Sequence, residues 1–169
     1  MDDAENRYLN RSDFNIQGLL KEKKYAKILN VFAFIGFLAG VSASLVFYIR
    51  YNLLLTPIIA LASSIIALMV IYINMQFLWD VWQIWTYKLK YWCMLGFVLQ
   101  VVFIALFIGF ISLGVYYQQK PTAQSFYVSS VWVFMCWKWS FALFYRTKKY
   151  RSMFTRYSLI GVDSEVNSD

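Results

Sequence analysis

The chain has 169 residues, of which 60% are hydrophobic and 21% aromatic, and its formal net charge is +7. A soluble domain is usually about 45–50% apolar by a similar count, so this composition is typical of a protein embedded in a bilayer. The absence of histidine and the presence of only two cysteines exclude a secreted disulfide framework and argue against a zinc site. The positive charge favours membrane orientation and attraction to anionic lipid over nucleic-acid binding.

Four apolar stretches follow a polar and basic head at residues 1–27. Each is close to the ~20 residues that an α-helix needs to cross a bilayer. The sequence therefore predicts an all-α membrane protein with four transmembrane helices in an up-down bundle. The transmembrane domain covers residues 28–145, and a tail at 146–169 follows it. The predicted spans lie at about 28–49, 53–73, 93–115 and 126–145.

Small residues recur every four positions in the first span, at Gly36, Gly40 and Ser44. In lipid, small residues let helix backbones approach closely and so favour helix association. This face predicts either a contact within the four-helix bundle or a contact with a second copy of the chain.

The loop between the second and third spans is rich in tryptophan. As a helix over residues 76–92, it places polar groups such as Asp80 on one side and tryptophans on the other. Such a cytoplasmic amphipathic helix either extends the second span or lies flat in the headgroups, where it would sense curvature or dock a partner. The alternative is an ordinary aromatic belt. Cys93 follows at the inner edge of the third span, as a palmitoylation site or a buried thiol.

Few polar residues interrupt the spans. Asn30 and Asn74 are expected near the inner interface, within reach of water. Gln100 lies about two turns into the third span, where an unpaired amide would be costly, so a hydrogen bond to another helix is predicted.

Lys138, in the fourth span, is the most unusual residue of the membrane domain. A lysine at the centre of a bilayer costs about 2.5–3.5 kcal/mol on insertion scales. Three explanations are open: the side chain snorkels to the inner interface, it pairs with Asp80, or it lines a transport path. Lys138, Gln100 and Asp80 together form the candidate intramembrane polar site.

Lysine and arginine are concentrated in the head, the middle loop and the start of the tail, whereas the other two loops carry only Arg50 and Lys120. The positive-inside rule then places both termini in the cytoplasm, in the plasma membrane or an endomembrane. In the tail, residues 157–160 resemble the tyrosine-based sorting signal read by clathrin adaptors, with Tyr157 and Ile160 in its two defining positions. A chance match is the alternative.

The sequence shows no nucleophile elbow, phosphate loop, paired carboxylates or metal-ligand spacing, so neither an enzyme nor a resident cofactor is predicted. The first functional hypothesis is a scaffold or trafficking protein that binds other membrane proteins or further copies of itself, with anionic inner-leaflet lipids around it. The second is a subunit of a channel or transporter that uses Lys138. An interfacial lipid-modifying enzyme has no supporting residue set.

Overall fold

The computed structural model describes the backbone of residues 2–51, 54–79, 86–118 and 125–166, and the side chains of residues 17–51, 54–79, 88–118 and 125–153. Within these residues the chain forms four helices, which confirms the predicted all-α architecture. They are α1 (Asp2–Tyr51), α2 (Leu55–Leu78), α3 (Thr86–Tyr116) and α4 (Phe126–Val166).

Three segments of the described chain are long and apolar enough to cross a membrane: Gln17–Tyr51, Leu55–Leu78 and Lys88–Tyr116. Their most apolar windows have mean hydropathies of 2.1, 2.3 and 2.7. In lipid a spanning segment has to satisfy its own backbone hydrogen bonds, which explains why these stretches are helical. The chain is therefore a multi-pass integral membrane protein.

Helix α4 is not among these three segments, because Lys138 and several serines lower its hydropathy. It nevertheless lies beside α2 over the length of that helix. Thr56 hydrogen-bonds to Ser129 at 2.8 Å near one end, and Phe77 stacks on Tyr150 at a centroid distance of 4.0 Å near the other. Residue numbers rise together in these two contacts, so the helices are parallel. We expect α4 to cross the same lipid layer as α2.

Residue pairs also give the directions of the other helices. Helix α1 is antiparallel to α2, since Gly40 lies against Ala60 while Asn30 meets Asn74. Helix α3 is antiparallel to α4, as the aromatic pairs Phe97–Phe144 and Phe107–Phe134 show. The most extensive contacts join α1 with α2, α2 with α4, and α4 with α3. Helices α2 and α4 therefore form the centre of the bundle.

The head and tail continue the helices rather than forming separate elements. Helix α1 runs unbroken from the polar head through the first predicted span, and α4 continues past the fourth span to Val166. The predicted amphipathic segment is divided: residues 76–78 end α2 and residues 86–92 begin α3. Residues 80–85, including Asp80, lie outside the described residues.

The small-residue face of α1 packs within the chain. A Cβ atom at Gly36 would overlap the ring of Trp139 in α4, and one at Gly40 would lie 2.9 Å from the carbonyl oxygen of Ala60 in α2. Ser44 is buried on the same side. Gly36 and Gly40 are therefore occupied by neighbouring helices of the same molecule.

The importance of close packing between α3 and α4 can be tested at two glycines of α3. A Cβ at Gly96 would lie 2.9 Å from the backbone nitrogen of Phe144, whereas a Cβ at Gly109 would meet no atom within 4 Å. Because the backbone of α4 cannot yield locally, we expect Gly96→Ala to lower the free energy of unfolding by about 1–3 kcal/mol. Thermal unfolding in mild detergent measures this, with Gly109→Ala as the control. Equal melting temperatures for the two variants would contradict the α3–α4 contact.

Candidate functional site

A buried arginine lies where α1, α2 and α4 meet. Arg146 of α4 is 1% exposed, and its guanidinium has partners from each of the other two helices. One terminal nitrogen lies 3.2 Å from the Glu22 carboxylate of α1, and Nε donates to the Asn74 side-chain oxygen of α2 at 3.3 Å. The other terminal nitrogen donates to the hydroxyl of Tyr150. We call the connected group the Arg146 cluster: Glu22, Asn30, Asn74, Arg146, Lys149 and Tyr150.

Glu22 supplies the negative charge of the Arg146 cluster. Its second carboxylate oxygen accepts a hydrogen bond from the Lys149 ammonium at 2.6 Å, so one acid of α1 bridges two cations of α4. A buried guanidinium is tolerated only where such charge-assisted hydrogen bonds replace its lost hydration. The cluster therefore couples the position of the head, where Glu22 lies, to that of α4.

Asn74 joins the remaining members. Its side chain is fully buried. The side-chain oxygen of Asn74 also accepts a hydrogen bond from the Tyr150 hydroxyl at 2.7 Å. Its side-chain nitrogen donates to the side-chain oxygen of Asn30, in α1, at 2.9 Å. Burial raises the pKa of the Tyr150 phenol above its ordinary value, although Arg146 acts in the opposite direction. The phenol consequently stays protonated near neutral pH and serves as a donor.

Lys138 lies on a different side of α4. It is exposed, and its ammonium sits 5.0 Å from the centroid of the Trp139 ring. Trp139 itself packs on Gly36, close to the middle of the first predicted span, so Lys138 lies at mid-depth. The residues four positions before, three positions after and seven positions to either side of Lys138 are also exposed. We call this stripe the Lys138 face: Val131, Phe134, Lys138, Phe141 and Tyr145.

Aromatic rings border the Lys138 face along α4. The centroid of Trp137 lies 5.5 Å from that of Phe134 and 6.3 Å from that of Phe141, and Phe141 stacks with Tyr145 at 6.3 Å. A cation among rings at mid-depth is suited to bind a flat aromatic molecule that carries an anionic group. The rings would contact its plane while the ammonium pairs with the anion.

The contacts of the Arg146 cluster include none of the other predicted site residues that the structure describes. Gln100 is half-buried on α3, four residues from Gly96 and therefore on the side that faces α4. Cys93 is a half-buried free thiol near the start of α3. Tyr157 and Ile160 belong to the helical backbone of α4, and their side chains lie outside the described residues. The structure thus places the Lys138 ammonium near the ring of Trp139. Asp80, the other predicted member of the polar site, lies outside the described residues.

The Arg146 cluster was missed by the sequence reasoning. Arg146 was counted only as an orientation charge, and Asn30 and Asn74 were expected to be hydrated, whereas Asn74 is fully buried. Two signals were available. Arg146 and Tyr150 are four residues apart and share one helix face, and the two asparagines lie at the inner ends of two antiparallel spans joined by a short turn.

Comparison with known families adds a separate observation. Residues 89–139 match the model of the HRG family, which is described as haem-transporter, endosomal/lysosomal, haem-responsive gene. The match covers less than a third of the 169 residues, namely most of α3 and the beginning of α4. It includes Lys138 and the rings of Phe134 and Trp137. The description of the family concerns transport rather than catalysis. No solved structure matches the chain.

Removal of the central cation tests the Arg146 cluster. Arg146→Gln would remove the charged donor that Asn74 and Glu22 share, while Lys149 would still pair with Glu22. Breaking a buried ion pair typically costs up to about 3–5 kcal/mol. We expect a loss of that order in the free energy of unfolding, measured by denaturation in detergent.

Lys148→Gln is the matched control, because Lys148 is exposed on the same helix. Exposed substitutions usually change stability by no more than about 0.5 kcal/mol. If the two variants unfold together, the Arg146 cluster does not stabilise the bundle.

Proposed function

We propose that the chain is a membrane transporter, or a subunit of one, that moves haem across an endosomal or lysosomal membrane. The observation that carries this proposal is the match of residues 89–139 to a family described as endosomal and lysosomal haem transporters. The matched segment contains Lys138, the residue on which the second functional hypothesis rests. Its exposed, mid-depth position supports a role in contacting cargo.

The chemistry of haem fits the Lys138 face. Haem is a flat aromatic macrocycle with two propionate carboxylates, and this face offers aromatic rings on both sides of an ammonium group. The sequence has no acidic residue between Glu22 and Asp163 except Asp80, so the spans themselves hold no carboxylate for Lys138. A propionate of the cargo would supply a negative charge to Lys138 while the ring of Phe141 contacts the macrocycle.

The iron of the cargo would need a ligand other than histidine, since the chain contains none. Haem proteins also use tyrosine, methionine or cysteine thiolate as axial ligands. Tyr145 is the tyrosine on the Lys138 face, seven residues or about 10.5 Å of helix rise from Lys138. We therefore assign Tyr145 to the iron side of the cargo and Lys138 to its carboxylate side.

The scaffold and trafficking role ranks second. Its proposed docking faces included Gly36 and Gly40, and both pack against helices of the same molecule. The tail motif at Tyr157 and Ile160 still supports this role, and it would direct the protein to endosomes and lysosomes whether it transports or docks. With both termini in the cytoplasm, as the charge distribution predicts, that motif would face the adaptors that read it.

Lys138→Met tests the transport proposal. The substitution removes a charge that is costly in lipid, so we expect the bundle to insert and fold at least as well as the original chain. We expect haem uptake to fall at least about tenfold, because loss of a charge-assisted contact costs roughly 1.5–3 kcal/mol. Uptake is measured in reconstituted vesicles by spectral change of an enclosed haem-binding apoprotein.

Two controls accompany this measurement. Lys138→Arg keeps the cation and should retain most of the uptake, and Lys148→Met removes an exposed charge two to three turns further along α4 and should retain all of it. Normal uptake by Lys138→Met would remove Lys138 from the mechanism. No uptake by the unaltered chain above protein-free vesicles would refute haem transport.

Tyr157→Ala tests the sorting motif. If the motif directs the protein to endosomes and lysosomes, the variant should accumulate at the cell surface, because the first position of the signal is lost. Ser158→Ala changes a position that the pattern leaves open and is the matched control. Microscopy of tagged copies checks this, and an unchanged distribution of Tyr157→Ala would show that other residues target the protein.

A further inference from the structure

Helix α3 carries a single side-chain amide, Gln100, within a segment that is long and apolar enough to cross a membrane. The side chain is half-buried, and among the described residues none forms a hydrogen bond with it. An amide in hydrocarbon is costly unless a hydrogen bond compensates for its lost hydration. Gln100 therefore offers donors and an acceptor at a depth where the described chain uses neither.

The depth of Gln100 is close to that of Lys138. The rings of Phe97 and Phe144 are paired across the antiparallel helices α3 and α4, with centroids 5.8 Å apart. Each step forward along α3 is a step back along α4, so Gln100, three residues after Phe97, lies level with Phe141. Lys138 is three residues before Phe141, which is about 4.5 Å of helix rise. Gln100 and Lys138 are thus less than one helical turn apart in depth.

Gln100 lies on the side of α3 that turns away from α2. Gly96 marks the direction of α4, because a Cβ there would lie 2.9 Å from the backbone of that helix. Trp92, whose ring contacts that of Tyr72 in α2 at 6.2 Å, is rotated about 40° from Gly96 in one sense. Gln100 is rotated about 40° from Gly96 in the opposite sense. Its side chain therefore borders the groove between α3 and α4 on the flank opposite α2.

Lys138 lies on the corresponding side of α4. The thiol of Cys136 donates to the Ile59 carbonyl of α2 at 3.4 Å, so Cys136 marks the direction of α2. Lys138, two residues on, is rotated about 160° from Cys136. Phe141 is exposed and lies between Lys138 and α3 around the helix, about 60° from Lys138. A flat molecule against the Phe141 ring would thus have Lys138 on one side and Gln100 on the other.

We propose that Gln100 hydrogen-bonds to the second propionate of the haem cargo while Lys138 pairs with the first, so that the site selects porphyrins with two carboxylates. The inference rests on the proposed function, because it adds a residue to the same cargo site. The Gln100 amide has two N–H donors, and a hydrogen bond to a carboxylate is stronger than one between neutral groups. A second carboxylate at this depth needs such a donor, since Lys138 is engaged by the first. Both residues lie in the segment 89–139 that matches the haem-transporter family.

Porphyrin binding to the full chain in mild detergent tests this assignment. The variant is Gln100→Leu, which removes a polar group from an apolar helix and should therefore fold at least as well as the original chain. The two probes are haem and an iron porphyrin in which an alkyl group replaces one propionate, each titrated by its absorbance. We expect the variant to bind haem at least about tenfold more weakly, as for loss of a hydrogen bond to a charged group. Its affinity for the one-carboxylate probe should be unchanged, whereas a general loss of packing would weaken both.

Ser112→Ala is the control, because Ser112 is an exposed polar residue of α3 about 18 Å of helix rise from Gln100, and it should bind both probes normally. Equal losses for the two probes in Gln100→Leu would mean that Gln100 supports the helix pair rather than the second carboxylate. Normal haem binding by that variant would exclude a contact. Either result overturns the inference and leaves haem transport intact. Binding without vesicle uptake by the unaltered chain would refute transport alone, and no haem binding by that chain would overturn both.

Discussion

Arg146 can be buried inside the bundle because α1 and α2 supply acceptors for its guanidinium. Its side chain is 2% exposed, and one carboxylate and one amide oxygen, from two different helices, bond to the guanidinium. This geometry fixes the depth of all three helices at once, since a shift of one residue in any of them would separate a donor from its acceptor. The free energy at stake, about 3–5 kcal/mol for a broken buried pair, is large beside the typical stability of a domain.

The same interaction explains why α1 and α4 continue as helices beyond their apolar stretches. Glu22 precedes the first predicted span by six residues, about 9 Å of helix rise, and Tyr150 follows the fourth span by five. Only continuous helices carry these side chains to Arg146 and Asn74 in a fixed orientation. Toward the middle of the membrane, close packing replaces hydrogen bonding: Gly36 and Gly40 admit Trp139 and Ala60. The bundle is thus polar at one end and joined by small residues at mid-depth.

Hydropathy predicted α1, α2 and α3 well, because each contains an uninterrupted apolar window. It describes α4 less well, since Lys138 interrupts the stretch, although contacts with Thr56 and Phe77 place α4 beside α2. The Arg146 cluster could not be derived from periodicity, because its members come from three helices and meet only after the bundle has formed. For the same reason the sequence left open whether Gly36 faces a neighbouring helix or a second copy of the chain. In the structure Gly36 packs against the ring of Trp139, in α4 of the same chain.

Arg146 and Lys138 are two cations of one helix, eight residues or about 12 Å apart, and their surroundings differ. Arg146 has an acid of its own chain, is buried, and holds helices together. Lys138 lies at mid-depth on an exposed face, and its ring contact with Trp139 is an attraction to a quadrupole rather than to an anion. An exposed ammonium at that depth is costly. An anion from outside the chain would offset that cost each time it arrives and restore it when it leaves. The proposed transport of a carboxylate-bearing cargo would make use of such a reversible gain at Lys138.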